Sequence, residues 1–168
     1  MKALSVHPFW ATTIALGMKS IECRSWKTDH RGWMVICASS GPWVSGSICK
    51  HALCLVNLVD VKPFKPQHLE DAFMDEMPSD DKAYYAWVFE GLIPLVPFEV
   101  ESEKGLFEID DELISCMLPE DNPADFFREH YEPLMRFGDD SVSSEVQYEM
   151  WNMLLDDIEE EYDYQEDE

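Results

Sequence analysis

In Gly17-Met18-Lys19-Ser20-Ile21-Glu22-Cys23-Arg24, running on into Ser25-Trp26-Lys27-Thr28, a glycine is followed by a lysine, a glutamate and an arginine. On an extended strand side chains alternate, so Glu22 and Arg24 share one face and Ile21 and Cys23 the other. Gly17 suits the end of a helix, where the chain turns, and Lys19 sits just past that turn. A lysine, a carboxylate and an arginine would then converge where a helix end meets a strand. Such a seam can hold or process a small polar group.

Upstream, residues 2–6 read as a short strand. Pro8 suits the first turn of a helix that Gly17 closes, with Trp10, Ile14 and Gly17 on one face. Downstream, residues 33–38 (Trp-Met-Val-Ile-Cys-Ala) are apolar without alternation, as in a strand covered on both faces. The Gly/Ser/Pro-rich residues 39–47 form a loop. Residues 52–61 give the longest expected strand, ended by Pro63 and Pro66. Leu69, Phe73 and Met77, four apart, predict a helix over 66–77. A polar loop at 78–82 leads to a strand at Tyr84–Phe89. Leu92–Val100 contains two prolines and reads as an edge or irregular strand, and 105–109 as the last one. Five or six strands with two helices predict an α+β fold, a small and partly closed β-barrel.

From about residue 113 the character changes. Asn122 caps a helix over 123–137 that carries Phe126, Phe127, Tyr131, Leu134 and Met135, and Pro133 would bend or break it. Ser144 and Gln147 form a capping box before a helical repeat at 145–161. Asp156 to Glu168 holds nine acids in thirteen residues, a composition for a frayed or disordered end. The expected organisation is one domain at 1–112 and an acidic helical extension at 113–168.

The 168-residue chain has a net charge of −23, unevenly spread. Residues 1–65 carry eight Lys/Arg against three acids, and residues 66–168 four against thirty-two. A long polyanion would be drawn to the first part and repelled by the second. Tight, sequence-indifferent binding to long RNA or DNA is thereby disfavoured, whereas a nucleotide, a nucleoside or a short exposed strand is easily accommodated. No apolar run reaches the roughly 20 residues of a membrane span, and the N-terminus does not read as a secretion signal. A cytoplasmic protein with no membrane partner is expected. The five cysteines (23, 37, 49, 54 and 116) are then reduced thiols. Cys49, His51 and Cys54 are close in sequence, but no second Cys/His pair lies at a matching spacing, so no metal or other cofactor is expected.

The pattern G-x-K-x-x-E-x-R, here Gly17, Lys19, Glu22 and Arg24, resembles the signature of ASCH domains. Ser5, Pro8 and Trp10 before it agree, as do Ser25-Trp26-Lys27-Thr28, Arg31-Gly32 and Ala38-Ser39 after it. Tyr85-Ala86-Trp87-Val88 and Gly105-Leu106-Phe107-Glu108 resemble later landmarks, so the likeness covers roughly residues 1–112. It implies a PUA-like β-barrel. It also implies a cleft for RNA, a nucleotide or a modified nucleoside. Some ASCH proteins are amidohydrolases that deacetylate N4-acetylcytidine with a lysine, a threonine three residues later and a more distant glutamate. Others resemble ribonucleases or RNA-binding modules. Lys19 matches the lysine, but Glu22 occupies the threonine position and offers no hydroxyl nucleophile. The distant glutamate would fall among Glu70, Asp71, Asp75 and Glu76.

Lys19 and Arg24 are candidates for phosphate or carbonyl oxygens, and Lys19, if desolvated, for a catalytic base with Glu22 beside it. Glu22 either pairs with Arg24, orients Lys19 or accepts from a base edge. Trp26 is the best stacking candidate, while Trp33, Trp43 and Trp87 are expected in the core or at its rim. Thr28 and Ser39 are candidate hydrogen-bond donors. His7, His30 and His51 read as surface or loop residues. Three functions follow: a binding domain, a hydrolase using Lys19, or an acidic interaction module. In the last, the extension mimics nucleic acid, docks a basic protein or covers the cationic cleft.

Overall fold

A computed structural model describes residues 1–41, 44–79, 81–120 and 122–137. Strand β1 (Lys2–Val6) leads into helix α1 (Pro8–Ala15), which Pro8 opens and Gly17 closes at φ +80°. Strands β2 (Ile21–Arg24), β3 (Gly32–Ala38), β4 (His51–Pro63), β5 (Tyr85–Glu99) and β6 (Leu106–Glu108) follow. Helix α2 (Asp111–Cys116) is capped by the Asp110 carboxylate, which accepts from the Glu112 amide.

The six strands form one sheet in the order β2-β5-β4-β3-β1-β6. Only β1 and β3 run parallel, and α1 with β2 supplies the crossover between them. Register shifts at Ile36/Cys37, Ala52/Cys54, Val56/Asn57 and Leu58/Asp60 let the sheet bend. The bend shows in one bond. Arg24 of β2 donates from Nη2 to the Ser5 carbonyl of β1 at 2.7 Å, although three strands separate β2 from β1 along the sheet. The sheet has therefore curled into a half-barrel whose β2 edge faces β1.

Strand β3 is covered on both faces, as its unbroken apolar run requires. Met34, Ile36 and Ala38 enter the main core with Leu4, Ile14 and Trp87, while Val35 and Cys37 enter a second core with Leu95 and Phe107. The sequence expectations need four corrections. Tyr84–Phe89 and Leu92–Val100 are one strand, β5, which at 15 residues is longer than β4. It crosses its midpoint at Gly91 (φ +74°), where a Cβ would lie 2.9 Å from the Trp33 ring. Residues beyond 91 pair with β4 alone, so the proline-bearing half is indeed an edge. The stretch 66–77 is a 3₁₀ turn at Pro66–His68 followed by turns, not a helix, because its backbone bends through Phe73 at φ +56°. Helix α2 was not anticipated.

The 123–137 helix is broken into α3 (Pro123–Phe126), a π-helical turn (Phe127–Tyr131) and a 3₁₀ turn (Glu132–Leu134) at Pro133. Phe126, Phe127, Tyr131 and Met135 pack in the main core. The expected helix at 145–161, the acidic end and Trp43 lie outside the described residues.

Tyr131 explains why this segment is held. Leu53 falls in the register shift between Ala52 and Cys54, so its carbonyl needs a partner from outside the ladder, and the buried Tyr131 hydroxyl donates to it at 2.5 Å. Tyr131→Phe should cost about 1–3 kcal/mol, the penalty for an unsatisfied buried acceptor, read as a lower urea midpoint at unchanged m-value.

Candidate functional site

The link between α1 and β2 is fixed from both sides. The Met18 and Lys19 amides donate to the Thr13 carbonyl at 2.9 and 3.3 Å, and the Ser20 and Ile21 amides to the Asp71 carbonyl at 2.8 and 3.1 Å. Residues 66–77 thus clamp the motif although they are not helical. The clamp also takes the lysine head group: Lys19 Nζ donates to the Ala72 carbonyl at 2.5 Å.

Lys19 and Glu22 are both buried, with 1% and 5% of their side chains exposed, and Nζ lies 3.7 Å from Glu22 Oε1. The Trp10 ring covers the ammonium at 4.5 Å. Glu22 also accepts from the Cys23 amide at 3.1 Å, and its second oxygen is 3.5 Å from Arg24 Nη2. Arg24 keeps 25% of its side chain exposed. Desolvation lowers the Lys19 pKa and outweighs the opposing pull of Glu22. Burial, assisted by Glu22, raises the Cys23 thiol to about 11, so Cys23 is protonated and a poor nucleophile.

All three motif side chains line one cleft of about 810 Å³, in the gap where β2 faces β1. Ser5, Val6, His7 and Trp10 form one wall, and Glu22 to Trp26 the other. Ser39 lines it too, with its hydroxyl turned to the Gly41 carbonyl at 3.3 Å. Thr28 does not; its hydroxyl accepts from the His30 amide at 3.1 Å, closing a local turn. Trp26 lines the cleft half-buried and meets fully buried Trp87 edge to face at 4.8 Å, while exposed Trp33 sits elsewhere on the sheet. His7, Tyr84 and Lys104 join the cleft without having been foreseen. His7 was open to inference, since it immediately precedes Pro8 at the mouth of α1; the other two come from distant strand ends and carry no local signal.

None of Glu70, Asp71, Asp75 and Glu76 lines this cleft. Three of them line a separate groove of about 540 Å³ on the far side of Trp10. Among the described residues, Glu22 is the only carboxylate that lines the cleft beside Lys19. The Cys49–His51–Cys54 cluster is likewise not assembled for a metal. Cys54 is fully buried, His51 Nδ1 is 2.6 Å from the Cys49 carbonyl, and no group of three potential ligands occurs among the described residues.

A family model, the ASCH domain, matches residues 4–104. The chain belongs to the ASCH domain family. ASCH domains have a PUA-like fold of the RNA-binding type, which the curled sheet and the motif seam express here. A crystal structure of an ASCH protein from Zymomonas mobilis is similar at 16% identity and TM-score 0.55, covering 69% of this chain and 94% of that one. A serine-to-alanine mutant of that protein matches at 15% and 0.56, covering 69% and 95%. A tyrosine-to-phenylalanine mutant gives 15% and 0.56, covering 69% and 97%. No curated protein matches the chain significantly. Among the described residues no helix is long and apolar enough to cross a membrane.

Proposed function

We propose that the cleft at the barrel seam binds RNA through a single exposed nucleotide or modified nucleoside. The observation that carries this reading is the convergence of Lys19, Glu22 and Arg24 on one 810 Å³ space flanked by half-buried Trp10 and Trp26. Arg24 is the one motif side chain with substantial exposure, so it reaches the ligand directly. Glu22, oriented by Lys19 and Arg24, presents an acceptor to a base edge, and Trp26 offers a surface to stack on. The acidic residues after 138, which include no Lys or Arg, repel long nucleic acid and favour a short or splayed strand. They also attract a basic protein as a second partner of the chain.

Hydrolysis is the second reading, favoured by the desolvated Lys19 ammonium, whose lowered pKa suits proton transfer. The missing hydroxyl at position 22 and the absence of a distant carboxylate from the cleft among the described residues weigh against it.

Titrating the protein with short single-stranded RNA, cytidine and N4-acetylcytidine, while assaying acetate release and RNA cleavage, tests both readings. Saturable binding with no product is expected. Arg24→Ala should weaken it about tenfold or more, the loss of one or two charge-assisted hydrogen bonds. Acetate release or cleavage that Arg24→Ala and Glu22→Gln reduce would establish the hydrolase instead. No binding by any of the three probes would defeat the proposal.

A further inference from the structure

The motif cations differ in what they have left to give. Lys19 is enclosed, with its ammonium committed to the Ala72 carbonyl, Glu22 and the Trp10 ring. Among the described residues Arg24 donates from Nη2 only, to Ser5 and Glu22, and remains a quarter exposed. The cleft has a further cation outside the motif. Strand β6 pairs with β1 in the register Lys2↔Glu108, Ala3↔Phe107 and Leu4↔Leu106. Carried two residues further, that register sets Lys104 beside Val6, at the end of β1 where the cleft opens. Lys104 is exposed, lines the cleft, and has no ion pair or hydrogen bond among the described residues.

Among the described residues the cleft wall therefore holds Lys19, Arg24 and Lys104 against one carboxylate, Glu22, in a chain of net charge −23. Ser5 lies between the two accessible cations, since its carbonyl takes Arg24 and its strand neighbours Lys104. We infer that Arg24 and Lys104 form an anion subsite at the cleft mouth, and that the ligand is a phosphate-bearing nucleotide rather than a free nucleoside. This rests on the proposed function and narrows it. Guanidinium supplies a directional fork to a phosphate and the ammonium a point charge, while the buried Lys19–Glu22 pair positions Arg24 and faces the base. Lys19, so bound, is a positioning residue for the phosphate.

The test compares cytidine with cytidine 5′-monophosphate and 3′-monophosphate by calorimetry at low salt, and inorganic phosphate by thermal shift, on the full chain. At least one nucleotide should bind about tenfold or more tightly than cytidine, and that advantage should shrink with added salt. Lys104→Ala, which breaks no interaction within the described residues, should remove most of the advantage and leave cytidine binding unchanged. Lys104→Arg should keep it. Equal affinity for nucleoside and nucleotides, or an advantage that survives Lys104→Ala, overturns the subsite while leaving nucleoside binding intact. If none of the cytidine compounds binds but phosphate still raises the melting temperature only when Lys104 is present, the subsite stands and the base-binding reading falls. If phosphate also has no effect, both fall.

Discussion

Lys19→Met should lower stability by about 3 kcal/mol and abolish ligand binding, and adding Glu22→Gln should restore most of the stability but none of the binding. The side chains of Lys19 and Glu22 are 1% and 5% exposed, so neither charge is solvated by water. Removing the ammonium leaves a carboxylate in the barrel wall and orphans the Ala72 carbonyl. Breaking one side of a buried pair costs roughly 3–5 kcal/mol, mostly because of the charge left behind. The lower end applies here, since Glu22 keeps the Cys23 amide and Arg24. Neutralising Glu22 in the double variant removes the uncompensated charge, and methionine fills the space under Trp10. Recovered stability with lost binding would separate the pair's role in the ligand site from its role in the fold. Urea midpoints at pH 7 measure the first and calorimetric titration the second. A single variant within 1 kcal/mol of the parent would show that Glu22 is far better served by Arg24 than its 3.5 Å separation implies.

The motif was legible because its spacing already encodes geometry. Gly17 ends α1 with a positive φ, and the alternation in Ile21–Arg24 places Glu22 and Arg24 together. The unbroken apolar run of β3 announced its double coverage for the same local reason. What the spacing could not convey was depth. Spacing alone leaves Lys19 either solvated or desolvated; it is buried, because residues 66–77 arrive from 53 positions away to cover it with the Ala72 carbonyl. That covering segment was itself misread. Leu69, Phe73 and Met77 have helical spacing, but Phe73 is bent to φ +56° and, like Met77, is exposed, so no buried helix face existed to produce the pattern. Thr28 looked like part of the cleft from proximity to the motif, and a turn through the His30 amide removes it. Lys104 gave no signal, because only the β1–β6 pairing brings it to the site.

Raising the pH from 8 to 10 under reducing conditions should cost about 3 kcal/mol of stability through Cys37 and Cys54. Both thiols are fully buried in the sheet, Cys37 in the second core and Cys54 in the main one. Burial pushes Cys37 up to about 12 from an ordinary value of 9.0, and Cys54 further, with Cys37 itself adding to that rise. A thiol whose pKa is raised on folding keeps its proton in the native state while the unfolded chain surrenders it. Its contribution is fully present below about pH 9 and is lost as pH climbs towards the folded value. One unit above the unfolded pKa costs about 1.4 kcal/mol per thiol, so two give roughly 3 kcal/mol at pH 10. Half-buried Cys23, raised to about 11, adds a loss of the same sign. Lys19 works the other way. Its pKa is lowered, so the cost of burying its charge is present at neutral pH and is relieved as pH rises past its folded value. One lysine opposes several thiols, and the thiols prevail. The Cys37→Ala Cys54→Ala double variant isolates the effect: it should start less stable but decline far less steeply between pH 8 and 10. Parallel slopes for parent and variant would place the alkaline transition elsewhere, and would mean that water reaches the strands on which the whole cleft is built.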